Sequence, residues 1–176
     1  MPGVFEKYGL HFQYPDNWSV EQAASCDEAL DALPVDQRWP EEPGDALGPG
    51  EQFAQPGGAE QGGHVIVSSP HTAFWHLSRR PGGVALEPLF DEALSALRTE
   101  YERIEVEPAS DNVEGFTLTG YNVSFFCMDL ISTCWLRGFA ARGTTYLLMC
   151  QAEDREFVEV CPVFRAMLAS VLRNIS

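Results

Sequence analysis

Tyr146-Leu147-Leu148-Met149-Cys150 is apolar at five successive positions. Successive strand residues point to opposite faces, so a strand of this composition has to be covered on both sides. It is far too short to cross a membrane as a helix, and so is the other long apolar run, Val65-Ile66-Val67. The segment belongs to a strand candidate spanning 144–153, which Arg142-Gly143 joins to another at 133–141 through a tight turn. A third candidate, 114–129, precedes them, and Gly120 at its middle predicts a bulge or bend. Three strands in a row, the last one central, predict an antiparallel sheet.

The remaining periodicities supply its neighbours. Leu10, Phe12 and Tyr14 alternate with His11 and Gln13, and Trp18 and Val20 alternate after a Pro15-Asp16-Asn17 turn. Strands are also predicted at 64–68, at 72–79 and briefly at 104–106, the last ending in a turn over Pro108-Ala109-Ser110-Asp111-Asn112. Pro88 suits a first helical turn, and Leu89, Ala93, Leu94, Leu97 and Tyr101 recur at helical spacing over 87–103. Pro162 is read the same way, ahead of the stripe Phe164, Met167, Leu168, Val171 and Leu172. The fold class expected is α+β: an antiparallel β-sheet of about five to seven strands sandwiched between helices, an α/β/α sandwich.

Composition shifts between Cys26 and Gly63, where seven Gly, five Pro and nine acids leave few large apolar residues. Such a stretch reads as a long surface insertion of a single domain covering 1–176. Its large aromatics, Trp39 and Phe53, either pin it to the body or serve as exposed anchors for a partner. Over the whole chain 26 acids face 11 bases, a net charge of −15. Phosphate neutralisation drives nucleic-acid binding and anionic lipids attract basic surfaces, so neither nucleic acid nor membrane is an expected partner. Charge of one sign favours a monomer. No secretory leader is recognisable, so the expected location is cytoplasmic.

Catalytic signatures are sparse. His64, His71, His76 and Arg79 are the residues that could line a ligand pocket, although no acid or thiol stands at metal-ligand spacing beside them. Cys127, Cys134 and Cys150 lie among apolar neighbours, where burial raises a thiol's pKa and makes it a poor nucleophile. A four-residue connection at 129–132 would set Cys127 opposite Cys134, within bridging reach. The serines lack a nucleophile-elbow context, and no glycine-rich loop has the lysine of a phosphate-binding loop. No catalytic residue, metal or cofactor is expected. Trp75 and Trp135, with Phe125, Phe126 and Tyr146, offer sheet aromatics that pack a core or line a groove for a peptide.

Two motifs carry a resemblance. The opening Leu10–Val20 is similar to the pattern "gisf.yP..W.v", and the closing Phe164–Leu172, with Ser170 in the serine position, is similar to a helix ending "f..il.Sf". Both resemble the superfamily of the photosystem II extrinsic protein P and the Ran-binding nucleotide-release factor, with its DcrB-like and DUF1795 bacterial branch. The resemblance covers about residues 4–22 and 64–174. It implies a PsbP-like fold and a non-catalytic role such as binding a GTPase, stabilising an oxygen-evolving cluster or chaperoning secretion effectors. The function expected is a protein-interaction module, adaptor or chaperone-like, that uses Trp39, Phe53, Trp75 and Trp135. The alternative is a small-ligand binder or enzyme with the His64, His71, His76 and Arg79 pocket.

Overall fold

The computed structural model describes residues 1–24 and 62–175. Trp39, Phe53 and nearly all of the expected insertion lie outside the described residues.

The doubly apolar segment lies in β9 (Thr144–Glu153), the fourth strand of a seven-stranded antiparallel sheet ordered β3-β4-β5-β9-β8-β7-β6. The other strands are β3 (Ser19–Ala24), β4 (Gly63–Ser68), β5 (Phe74–Pro81), β6 (Ile104–Val113), β7 (Phe116–Cys127) and β8 (Leu130–Ala141). Helix α1 (Leu86–Glu100) links β5 to β6, and α2 (Asp154–Ile175) follows β9 without a break. The first strands, β1 (Gly3–Lys7) and β2 (Leu10–Tyr14), form a separate two-stranded sheet.

Strand alternation divides the core into two clusters. Cys134 and Leu136 of β8 join Val123 and Phe125 of β7 against Phe90, Ala93, Leu94 and Leu97 of α1. Phe139 of β8 lies in the other cluster, with Tyr146, Leu148 and Cys150 of β9 and with Phe157, Phe164, Met167, Leu168, Val171 and Leu172 of α2. Each fully buried side chain of this size contributes roughly 1.5–3 kcal/mol of hydrophobic transfer energy. The β1–β2 hairpin packs on α2, where Ser170 Oγ accepts from the Gln13 backbone N–H at 3.2 Å and Asn174 donates to the His11 carbonyl at 3.0 Å. Trp18 stands edge-on to Phe164 at 6.0 Å. The turn at Pro15–Asn17 therefore carries the chain from the small sheet into the large one.

Several local expectations are corrected. β6 runs straight through the residues read as a turn, pairing Pro108 with Tyr121 and Asn112 with Thr117. Its position at the sheet edge explains this, because only one side of an edge strand needs N–H donors. Gly120 lies in unbroken register with Ala109 and Arg137, with no bulge; a Cβ there would come within 2.0 Å of the Leu136 carbonyl oxygen. Pro162 lies inside α2, not in its first turn. The helix begins at Asp154, and Pro162 and Val158 are both exposed, so water can reach the Val158 carbonyl that lacks an N–H from Pro162. Cys127 pairs with Leu130 and Cys134 with Val123, and both thiols are free. The connection has two residues rather than four, which moves the two cysteines out of opposition.

One charge sits inside this apolar frame. Arg137 of β8 is 4% exposed. Its guanidinium donates to Asp111 at 2.6 Å, to the Tyr121 and Leu136 carbonyls at 2.7 and 3.1 Å, and to Asn122 at 2.7 Å. A buried charge survives when paired and fully hydrogen-bonded, and removing one partner is costlier than removing the pair. Asp111→Ala is therefore expected to destabilise the protein by about 3 kcal/mol in urea unfolding, more than the double variant Asp111→Ala with Arg137→Met does. The reverse order would show that the pair carries no such strain.

Candidate functional site: the overhanging β7–β8 hairpin

The pocket expected from His64, His71, His76 and Arg79 assembles only in part. His64 and His76 lie on adjacent strands, with Ile66 opposite His76 and Ser78 opposite His64, and their rings meet edge-on at 5.4 Å. Arg80, two residues beyond Ser78 on the same face, lines a cleft of about 220 Å³ between β5, β9 and α1 together with His76, Ser78 and Glu92; His64 is not one of its walls. Arg79 points to the opposite face, alongside Trp75 and Leu77. His71 is exposed in the β4–β5 loop, which α2 holds through Glu156. That carboxylate accepts from Ser69 Oγ at 2.8 Å and from the Thr72 backbone N–H at 2.9 Å, with a further bond from Thr72 Oγ1. Burial works against its ionisation, but these hydrogen bonds hold its pKa below the usual carboxylate range. No group of three or more potential metal ligands occurs among the described residues.

His76 is a poor proton acceptor at neutral pH. Burial, the neighbouring His64 and the charge of Arg80 lower its pKa from 6.5 to about 4. Cys134 and Cys150 are equally unsuited to nucleophilic work, since burial pushes the first up to about 12 and the second well above its ordinary value. The sheet tryptophans are structural as well. Trp75 is 0% exposed and packs on Phe12 at 5.0 Å, so it cannot touch a partner, contrary to expectation. Trp135 is half-buried, edge-on to Phe157 at 5.1 Å, with the guanidiniums of Arg137 and Arg165 over its ring at 5.5 and 5.0 Å.

The exposed apolar surface lies elsewhere. β6 pairs with β7 only as far as Phe125, and β9 pairs with β8 only from Ser132. Residues 126–131 therefore project past both neighbouring strands as a bare two-stranded ribbon. Phe126 is 65% exposed, Met128 91%, Leu130 51% and Ile131 47%. Phe126 and Ile131 are directly opposed in register and so share a face.

The turn at the end of this ribbon is also unusual. Four hairpins in the described chain close through two residues with positive φ. Three of them place glycine second: Tyr8-Gly9, Glu114-Gly115 and Arg142-Gly143. The fourth is Met128-Asp129, at φ 51° and 64°. Such turns favour Asn-Gly, because a side chain in the left-handed region is strained by about 1–2 kcal/mol. From the sequence Phe126 is one of the aromatics that either pack the core or line a groove for a peptide, and the connection considered is at 129–132. The available signal was a glycine-free turn flanked by apolar residues on both sides.

No family model matches the chain, and no curated protein matches its sequence. Among solved structures, the cyanobacterial PsbP (CyanoP) of Synechocystis sp. PCC 6803 is similar at a TM-score of 0.52, with 12% identity over 97% of this chain and 89% of its own. PA94 of Pseudomonas aeruginosa, a protein of unknown function, matches at a TM-score of 0.42, with 10% identity over 96% of this chain and 94% of its own. The likeness to CyanoP shows the fold: this chain is α+β and PsbP-like.

Two expectations follow. The unfolded chain protonates His76 near pH 6.5 and the folded one only near 4, so stability through this group is whole above 6.5 and falls as pH drops toward 4. His76→Leu should remove about 1–3 kcal/mol of the stability difference between pH 7.5 and pH 4.5 in urea titrations; an unchanged difference would refute the assignment. Replacing Met128-Asp129 by Asn-Gly should raise stability by about 1–2 kcal/mol at pH 7, and a loss would show that the turn is unstrained.

Proposed function

We propose that this chain is a non-catalytic protein-interaction domain, an α/β/α sandwich of adaptor or chaperone-like use, whose binding surface is the overhang at 126–131. The observation that carries this reading is the coincidence of four exposed apolar side chains with a strained, glycine-free turn. Exposed apolar clusters on folded domains mark association surfaces, and backbone strain persists where something other than stability retains it. Two-stranded ribbons are marginal alone, so covering this one by a partner also satisfies its open edges.

The cleft lined by His76 and Arg80 supports a second reading, in which the domain holds a small ligand between α1 and the sheet. A neutral imidazole, a hydroxyl at Ser78, the Arg80 guanidinium and the Glu92 carboxylate suit a polar molecule with both donors and acceptors better than a proton-transfer reaction.

The two readings separate by affinity capture on immobilised protein, followed by reconstitution from purified components. A bound protein whose affinity weakens about tenfold on Met128→Ser combined with Ile131→Ser, and is unmoved by Arg80→Gln, supports the interaction reading. Binding that depends on Arg80 and ignores the overhang overturns it in favour of the cleft.

A further inference from the structure

The overhang is flanked by two clefts, and their walls define the chemistry of what fits. One, of about 540 Å³, lies between the end of α1 and the turn and is walled by Glu100, Glu102, Phe126, Met128 and Asp129, with Arg103. The other, of about 500 Å³, lies between the turn and the start of α2 and is walled by Asp129, Leu130, Ile131, Glu153 and Asp154, with Arg155. Asp129 belongs to both, so the two clefts together present five carboxylates and two guanidiniums around one apolar ridge. The excess of acid repeats locally what the whole chain shows at −15.

We propose that the occupant of this surface is a basic, amphipathic segment of a partner protein. Its apolar residues pack on Phe126, Met128 and Ile131, and its lysines or arginines reach the carboxylates on either side. This rests on the interaction reading above and adds the partner's chemistry. Charge complementarity selects among the possible occupants of an apolar ridge, since like charges across an interface are costly. A second copy of the chain would bring its own acidic rim against this one. An anionic lipid surface would be repelled by the same carboxylates.

The test uses the full chain and three labelled synthetic peptides of equal length. One has leucine and lysine at helical spacing, one leucine and glutamate, and one glutamine and lysine. Fluorescence anisotropy at about 0.15 M ionic strength measures binding, where the Debye length of about 8 Å leaves contact pairs effective and screens the distant field. The leucine–lysine peptide is expected to bind at least about tenfold tighter than either of the others. Met128→Ser with Ile131→Ser should weaken it about tenfold. Glu102→Gln with Asp129→Asn should weaken it several-fold and flatten its salt dependence. Asparagine tolerates the left-handed turn position, so that variant keeps the hairpin. Glu87→Gln with Asp91→Asn removes the same charge from the exposed start of α1 and should leave binding unchanged.

Equal weakening by the two neutralising pairs would overturn the proposal, because the attraction would then be general. Equal affinity for the leucine–glutamate peptide, lost on the serine substitutions, would overturn the basic partner and leave the interaction reading standing. Insensitivity to the serine substitutions would overturn both. Overhang-dependent binding to phosphatidylcholine vesicles in place of the peptide, or a concentration-dependent dimer abolished by Met128→Ser, would give the ridge to lipid or to a second copy and overturn it as well.

Discussion

Covering of β8 and β9 on both faces, complete toward α2 and partial over Leu147 and Met149 toward α1, is the constraint on which the rest of the structure depends. Alternate residues of β8 feed opposite clusters, so a one-residue slip against either neighbour would exchange the two sets wholesale. Arg137 makes that exchange prohibitive. In the observed register its guanidinium reaches Asp111, Asn122 and two carbonyls; one residue over, it would face the apolar stripe of α1. A single buried charge with its own set of acceptors thus fixes register across the sheet more strictly than apolar packing does, since apolar side chains of similar size are interchangeable.

The motifs at the two ends of the chain prove to be two sides of one contact. Gln13 and Ser170 share a hydrogen bond and Trp18 stands against Phe164, so the opening corner and the closing helix constrain each other directly. Each of these two stretches, read in the sequence as a PsbP-like pattern, supplies the surface on which the other packs. The central strand was legible for a similar reason, because apolar residues at every position of 146–150 admit only one kind of environment.

What could not be read was set by position rather than composition. Pro108 looks like a turn residue, and only its place at the sheet edge lets a strand pass through it. Pro162 looks like a helix start, and only the continuation of β9 directly into α2 shows otherwise. Phe125 and Phe126 are identical letters side by side; one is 2% exposed and the other 65%. Alternation sends them to opposite faces, Phe125 onto Tyr101 at 4.0 Å, and the Phe126 face is left open because the neighbouring strands stop short of it. His64 and His76 came together as the sequence allowed, while the parity of β5 sent Arg79 to the opposite face and brought Arg80 in its place. The overhang escaped notice because its residues are good strand formers, and their exposure is a property of the sheet's outline.

The pairing of the first hairpin with the last helix bears on how the chain is made. β1 and β2 precede the α2 surface they pack on by more than 150 residues, as the separations of 157 and 163 in their hydrogen bonds to α2 record. Until that helix has been translated, Phe12 has Phe5 and, later, Trp75 for apolar cover, and a lone two-stranded ribbon holds little stability of its own. The first hairpin therefore completes its packing only once α2 has been translated. Closure of the larger core around Phe12 and Trp75 becomes a late event of long sequence separation, which is the kind that slows folding and leaves nascent chains in need of protection.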